Sequence, residues 1–342
     1  MEKLSRVTGG CIAFWASAAL INVLADAPRW NIIHPLTLGV VTNAILTYST
    51  HFADALTRTA SRPLPVYARL AAVNLALVAL LFDALPNLAA ATAASALLWH
   101  GASIARKLRR GLPGPFATTA YCYVAAAAFF ALAVAAAVQR DIAAHSRLAV
   151  WGFAWTTIAG TVITLLPTMT KRRASPTARK RLSYALAAHC VALPAAAALL
   201  GTPLAAAALL VCALAWSYAL QPVLASTLFD TDLSAPALSV AAGVLWLLGA
   251  MYADAATLAL GAERFPTNLL VFILAAGLAQ IVAGALGHLL PVLTRRATEP
   301  DQGFFKAGVL NGGAIVALIN PPIGLAILAI GLVLHARKVA FP

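Results

Sequence analysis

Residues 30–58 read WNIIHPLTLGVVTNAILTYSTHFADALTR, an apolar stretch with His34 near one end and His51 near the other. Ionisable side chains are costly inside a bilayer, and by default their presence there indicates function. At ~1.5 Å of rise per residue, the two histidines lie roughly 25 Å apart along a helix, close to the ~30 Å thickness of the hydrocarbon layer. The stretch therefore predicts one membrane-crossing helix with an imidazole near each surface.

The composition of the whole chain is that of an integral membrane protein. Of its 342 residues, 62% are hydrophobic and 10% are charged, whereas soluble domains carry about 25% charged residues. The abundant alanine, leucine and valine favour packed helices over the alternating strands of a barrel. The formal charge of +13 comes from basic residues in short segments between apolar runs, which argues against nucleic-acid binding.

Apolar runs of about 20 residues predict an all-α chain of membrane-spanning helices. The twelve predicted spans are 7–25, 33–56, 65–83, 88–108, 117–138, 145–167, 183–200, 203–220, 235–259, 266–290, 304–319 and 322–340. Turn formers separate many of them, as at Leu85-Pro86-Asn87. We expect one polytopic domain over residues 1–342, and no internal repeat is convincing.

Basic residues distribute unequally between the two sides of this topology. With the amino terminus inside, twenty Lys and Arg fall on the inner side and four, Arg29, Arg140, Arg147 and Arg264, on the outer side. Cytoplasmic loops carry such an excess, so we expect a multi-pass protein of a bacterial inner membrane with both termini in the cytoplasm. The basic segments 106–110 and 171–181 either fix this orientation or also bind anionic lipid headgroups.

The topology sorts the histidines into two levels. His34 and His145 begin spans at the outer surface, and an inner group consists of His51, His100, His189 and His288. His335 lies beside the basic carboxyl terminus and is expected to be solvated. Imidazoles on facing helices can hold a metal ion or a haem iron. They can equally form hydrogen bonds between helices, so both interpretations stay open.

Three polar residues of the second span could support these histidines. Asp54 lies one turn after His51 and either orients its imidazole or faces water. On an ideal α-helix Tyr48 is nearly in line with His34. Asn43 either lines a polar pathway or, the simpler interpretation, forms a hydrogen bond to another helix.

Small and aromatic residues near the outer histidines also have two interpretations. Gly39 and Gly152 would admit either a bulky planar group or, more simply, a closely packed helix. Trp151, Phe153 and Trp155 fit either a cofactor wall or an interfacial aromatic belt, and the belt is favoured.

Two segments of the second span, HPLTLGVVTNAI at 34–45 and YSTHFADAL at 48–56, resemble a bacterial membrane family. The domain of that family occurs alone or ahead of a copper-oxidase or copper nitrite-reductase-like module. The similarity continues at 98–100, 145–152, 165–169 and 284–291 and so covers most of the chain. The family more distantly resembles the nitric-oxide-response protein NnrS and the catalytic subunit (subunit I) of haem-copper oxidases.

The resemblance implies a twelve-span bundle like that of the oxidase subunit, with haem or copper histidines on the second, sixth, seventh and tenth spans. His34 occupies the place of a low-spin haem ligand, and His145 that of a copper ligand. The tenth span lacks a His-x-His pattern and the seventh lacks an adjacent histidine pair. An oxygen-reducing haem-copper centre is therefore not expected.

The leading hypothesis is a membrane-integral redox protein that binds haem b, copper or both. It would transfer electrons or act on nitric oxide or oxygen, with a copper-containing redox protein or a respiratory complex as its partner. The cofactor ligands would come from His34, His145, His51, His288 and His100, with His189 as a further metal ligand. Catalytic residues are not assigned.

Two other classes of function fit the same sequence. A polytopic transporter for a metal, haem or a small solute would also place polar groups in the membrane, usually on discontinuous helices. An accessory subunit of a respiratory complex would use its histidines only for structural contacts.

The charge asymmetry makes the orientation testable. We expect a phosphatase reporter fused after Pro342 to be inactive and a fluorescent reporter there to fluoresce, because the basic side is retained in the cytoplasm. The same phosphatase placed within 139–141 is the control and should be active. Phosphatase activity at the carboxyl terminus would contradict the predicted topology.

Overall fold

The computed structural model describes residues 2–229, 233–294 and 303–340, and this part of the chain is helical without a strand. Helices are numbered in chain order, with each π-helical stretch counted in the helix that contains it. They are α1 Glu2–Leu24, α2 Arg29–Thr57, α3 Pro63–Leu81, α4 Pro86–Arg110, α5 Thr118–Val138, α6 Ile142–Met169, α7 Pro176–Ala198, α8 Pro203–Leu228, α9 Ala235–Ala259, α10 Thr267–Leu293, α11 Gly303–Ile319 and α12 Pro321–Ala340.

Within the described residues, nine of these helices are long and apolar enough to cross a membrane. They are α1 to α6 and α8 to α10, which indicates a multi-pass membrane protein. The last two helices contain shorter apolar stretches, Phe304–Ile319 and Ile323–Leu334, and α7 does not meet the same criterion. Each predicted span nevertheless coincides with a helix.

The seventh and eighth predicted spans are shorter than the helices at these positions. α7 begins at Pro176 instead of 183, because Ser175 caps it by accepting a hydrogen bond from the Ala178 amide and proline is favoured in a first turn. α8 continues through Pro222 to Leu228 instead of ending at 220. Hydropathy detects only the apolar part of a helix, so it missed both extensions.

The fold divides into two compact units, Met1–Thr161 and Val162–Pro342, with the division inside α6. In the first unit, the fully buried side chains include Leu46, Leu77 and Trp151. In the second, they include Trp216 and Met251. Each unit thus has its own apolar core.

Three of the described helices contain a π-helical stretch near their amino-terminal end. These stretches are Pro35–Val41 in α2, Leu148–Trp155 in α6 and Phe272–Ala279 in α10. Each follows five or six residues of α-helix. The feature therefore recurs every fourth helix, a periodicity that the sequence did not reveal. π-helical insertions in α-helices are frequent at functional sites.

Each π-helical stretch packs a glycine against a large side chain of the preceding helix. The pairs are Gly39 with Trp15, Gly152 with Phe129, and Gly277 with Leu247. A Cβ atom at any of these glycines would overlap its partner. The simpler interpretation of Gly39 and Gly152, close helix packing, is therefore confirmed.

An asparagine network holds α1, α2 and α3 together beside the first π-helical stretch. Trp15 Nε1 donates to Asn74 Oδ1 at 2.5 Å, and Asn74 Nδ2 donates to Asn43 Oδ1 at 2.8 Å. Asn43 Nδ2 also donates to the Gly39 carbonyl at 2.6 Å. The same pairing recurs where Trp246 Nε1 of α9 donates to Asn311 Oδ1 of α11 at 2.7 Å. Asn43 is thus an interhelical hydrogen-bonding residue, as its simpler interpretation held.

The glycine contacts give a stability prediction. We expect Gly39→Ala to lower the free energy of unfolding by about 1–3 kcal/mol, because the added methyl group overpacks against Trp15. Gly10→Ala in α1 is the matched control, since nothing lies within 4 Å of a Cβ there. It should be neutral or slightly stabilising. Denaturation of the purified protein in detergent measures both, and equal stabilities would contradict the packing described.

Candidate functional site

The two outer histidines lie together in the first unit. The rings of His34 and His145 have centroids 6.5 Å apart and planes inclined by only 14°. His34 directly precedes the π-helical stretch of α2, and His145 lies three residues before that of α6. The folded chain thus brings together two imidazoles from separate helices, each within three residues of a π-helical stretch.

Backbone carbonyls define which nitrogen of each ring is available. His34 Nδ1 lies 3.1 Å from the Trp30 carbonyl oxygen, and His145 Nδ1 lies 2.8 Å from that of Ala133. A carbonyl oxygen only accepts, so Nδ1 carries the proton in each neutral ring and Nε2 keeps its lone pair. Metal-binding histidines commonly have this arrangement, in which the second ring nitrogen donates to a carbonyl.

The separation of the rings suits one metal between them. Metal–nitrogen bonds to imidazole are about 2 Å long and the ring centre lies about 1 Å further, so rings on opposite sides of a metal have centroids roughly 6 Å apart. The observed centroid separation of 6.5 Å is of that size, and the two rings are stacked. Imidazole is a ligand of both haem iron and copper, so the donors and their spacing fit either.

The sequence analysis missed the contact of Trp30 with this pair and the burial of Arg147. The Trp30 ring packs on His34 with centroids 3.6 Å apart, although 44% of Trp30 is exposed. Trp30 lies one helical turn before His34, a spacing that could have revealed the contact. Arg147 was counted among the residues of the outer surface but is fully buried, and it donates to the Ala143 carbonyl. The charge count treats every basic residue near a helix end as exposed, which hid this.

His100, one of the inner histidines, forms a hydrogen bond between helices. Its Nε2 lies 2.8 Å from Ser49 Oγ, which itself donates to the Ile45 carbonyl at 2.5 Å. Because the Ser49 proton is used there, His100 Nε2 is the donor. His100 Nδ1 is buried without a hydrogen-bond partner among the described residues. Any ligation by His100 would therefore use that atom.

The other inner histidines have separate environments. His51 is half-buried against Phe52, with ring centroids 6.0 Å apart. In the second unit, His189 is fully buried and contacts the Trp216 ring edge-on at 5.4 Å, and His288 is half-buried. No group of three or more His, Cys, Asp or Glu that could hold a metal occurs among the described residues. The expected inner group is thus not assembled as such a site, and the His335 side chain lies outside the described part.

The hydrogen bonds and the ion pair of Asp54 go to residues other than His51. Its Oδ1 pairs with Lys107 Nζ of α4 at 2.6 Å, with both side chains about 15% exposed or less. Its Oδ2 accepts a hydrogen bond from the Ser61 amide at 2.9 Å. The carboxylate thus joins the end of α2 to α4 and to the following turn, and a role for Asp54 in orienting His51 stays a prediction.

The alignment of Tyr48 with His34 assumed an ideal α-helix. The π-helical stretch between them turns the chain less per residue, which changes their relative direction. Tyr48 is buried at 7% exposure, and its hydroxyl has no hydrogen-bond partner within the described chain. A role for Tyr48 beside the histidine pair stays a prediction.

The favoured interpretation of the aromatic residues of α6 as an interfacial belt is wrong. Trp151 and Trp155 are fully buried, and Phe153 is 4% exposed with an edge-on contact to Phe130. The cause is the position of α6 inside the protein, where 83% of the residues in its most apolar 18-residue stretch are buried. These rings fill the core of the protein around the π-helical stretch.

The Asp54 contacts give a second stability prediction. We expect Asp54→Asn to lower the free energy of unfolding by about 1–3 kcal/mol, because it leaves the partly buried Lys107 ammonium without its counter-ion. Glu2→Gln, in the exposed Glu2–Arg6 pair, is the matched control and should cost less than about 0.5 kcal/mol. An Asp54→Asn variant as stable as the control would show that the ion pair contributes nothing.

Comparisons with family models, with curated proteins and with solved structures give no match. The similarity described from the sequence motifs therefore stays a prediction. The candidate site depends on the geometry of His34 and His145 alone.

Proposed function

We propose that the protein is a membrane-integral redox protein that binds haem or copper through His34 and His145. One observation carries the proposal: two nearly parallel imidazoles from different helices have centroids 6.5 Å apart. Both rings are oriented by a carbonyl at Nδ1, which leaves Nε2 as the ligand atom. Two histidines that met by chance would not both need a carbonyl hydrogen bond at Nδ1.

The two-histidine donor set favours electron transfer over catalysis at this site. If the site held haem or copper, both imidazoles would be occupied as its ligands, and the group would supply one-electron redox chemistry. The chain contributes ring orientation through Trp30 and Ala133 and an aromatic contact at His34. The exposed Trp30 ring offers an electron donor or acceptor an edge close to the site.

We also propose that all twelve helices cross a bacterial inner membrane, with both termini inside, in an arrangement like that of the oxidase subunit. Support comes from the coincidence of every predicted span with a described helix. The recurrence of π-helical stretches in α2, α6 and α10 gives further support, since these helices carry the predicted outer pair and His288.

The proposal predicts a cofactor that depends on both outer histidines. The purified protein should contain haem, seen as visible absorbance, or stoichiometric copper, seen by metal analysis. His34→Ala and His145→Ala should each remove most of it, because each variant would leave the cofactor with only one of its two proposed protein ligands. His335→Ala is the control and should keep the full content.

Two results would contradict this function. The first is a folded wild-type protein with neither haem absorbance nor copper. The second is full cofactor content in both alanine variants, which would place the ligands elsewhere. Solute uptake that persists in those variants would instead favour a transporter, and copurification with a respiratory complex without any cofactor would favour an accessory subunit.

A further inference from the structure

Arg69 is a buried cation without an acidic partner in the described chain. It lies in α3, is 3% exposed, and its Nη1 donates to Ser103 Oγ of α4 at 2.9 Å. Its Nε has no hydrogen-bond partner among the described residues. The guanidinium carbon lies 5.3 Å from the centre of the Trp99 ring. A charge in this position is costly unless an anion compensates it.

The sequence around Arg69 contains no acidic residue that could compensate its charge. Residues 58–72 and 98–114, which form the adjoining ends of α3 and α4, hold seven basic residues and no Asp or Glu. Lys107 among them is already paired with Asp54 of α2. The remaining positive charge at this end of the two helices lacks an ion-pair partner within the described residues.

Two exposed arginines share a face of α4 with Ser103, the partner of Arg69, and a third precedes the first turn of α3. Trp99, Ser103, Arg106 and Arg110 are spaced four, three and four residues apart, so they lie on one face of α4. Arg62 lies seven residues before Arg69 at the start of α3. At ~1.5 Å per residue, Arg106 lies roughly 5 Å, and Arg62 and Arg110 roughly 10 Å, from the level of the Arg69–Ser103 contact.

We propose that this basic groove of α3 and α4, formed by Arg62, Arg69, Arg106 and Arg110, binds the headgroup of an anionic phospholipid. The exposed arginines contact the phosphate. The buried Arg69 also attracts the phosphate, because the surrounding protein has a low dielectric constant and screens the arginine charge only weakly. Basic pockets between membrane helices commonly bind anionic headgroups.

The apolar surroundings favour a lipid over a free phosphate ion. Leu64 is 77% exposed, Leu98 48% and Trp99 44%. These residues adjoin the arginines on the same two helices, so acyl chains can cover them while the phosphate binds the groove. A tryptophan at this depth is also typical of the interface between headgroups and hydrocarbon.

Native mass spectrometry of the full chain in detergent tests the proposal. Phosphatidylglycerol should bind at least about tenfold more tightly than phosphatidylcholine of the same acyl chains. Replacing two rim charges in Arg62→Gln/Arg106→Gln should weaken phosphatidylglycerol binding on the order of tenfold. The matched control, Arg140→Gln/Arg264→Gln, removes two exposed charges outside both basic segments and should change the affinity less than about twofold.

Arg69 has its own pair of variants. Arg69→Lys keeps the charge and should keep phosphatidylglycerol binding, whereas Arg69→Gln should weaken it, with circular dichroism checking that the helices remain. If Arg69→Gln does not fold, the Arg62→Gln/Arg106→Gln result decides. Equal binding of the two lipids, equal losses in the two double variants, or displacement of the lipid by inorganic phosphate would each overturn the proposal.

Discussion

Pairing of polar side chains between α2 and its neighbours is the constraint on which the first unit depends. In lipid there is no water to satisfy a polar group, so each must find a partner within the protein. Thr47 of α2 meets Thr8 of α1 at 2.7 Å, and Ser49 meets His100 of α4 at 2.8 Å. Asp54 pairs with Lys107 of α4. These contacts hold α2 in one rotation and depth against three helices, counting the Asn43–Asn74 contact to α3.

Because the rotation of α2 is fixed, its π-helical stretch holds the neighbouring residues in defined positions. The wider turns of Pro35–Val41 bring Gly39 against Trp15, and Asn43 satisfies the Gly39 carbonyl. His34 lies directly before this stretch. Its direction therefore depends on the geometry of the stretch and on the carbonyl that orients its ring. The same combination in α6 positions His145, so two similar local structures supply the two candidate ligands.

The two proposals concern opposite ends of the first unit and different forces. The histidine pair depends on lone pairs directed by hydrogen bonds, whereas the basic groove depends on charge that the protein leaves uncompensated. Neither requires the other, so loss of the cofactor in the histidine variants and loss of lipid in the arginine variants are independent results. Both explain polar groups that packing alone does not require.

The sequence by itself determined the membrane class and the positions of the helices, because hydropathy and helix length are local properties; the two levels of histidine stay a prediction. It also indicated that His34 and His145 share a depth. Only the tertiary structure decided that their rings meet, that Asp54 binds Lys107, that Trp151 is buried and that Arg69 has no acidic partner among the described residues. These outcomes depend on helix rotation. The π-helical stretches alter the rotation of their helices, and hydropathy does not reveal where these stretches occur. The rotation of each helix is fixed only when the helices pack together.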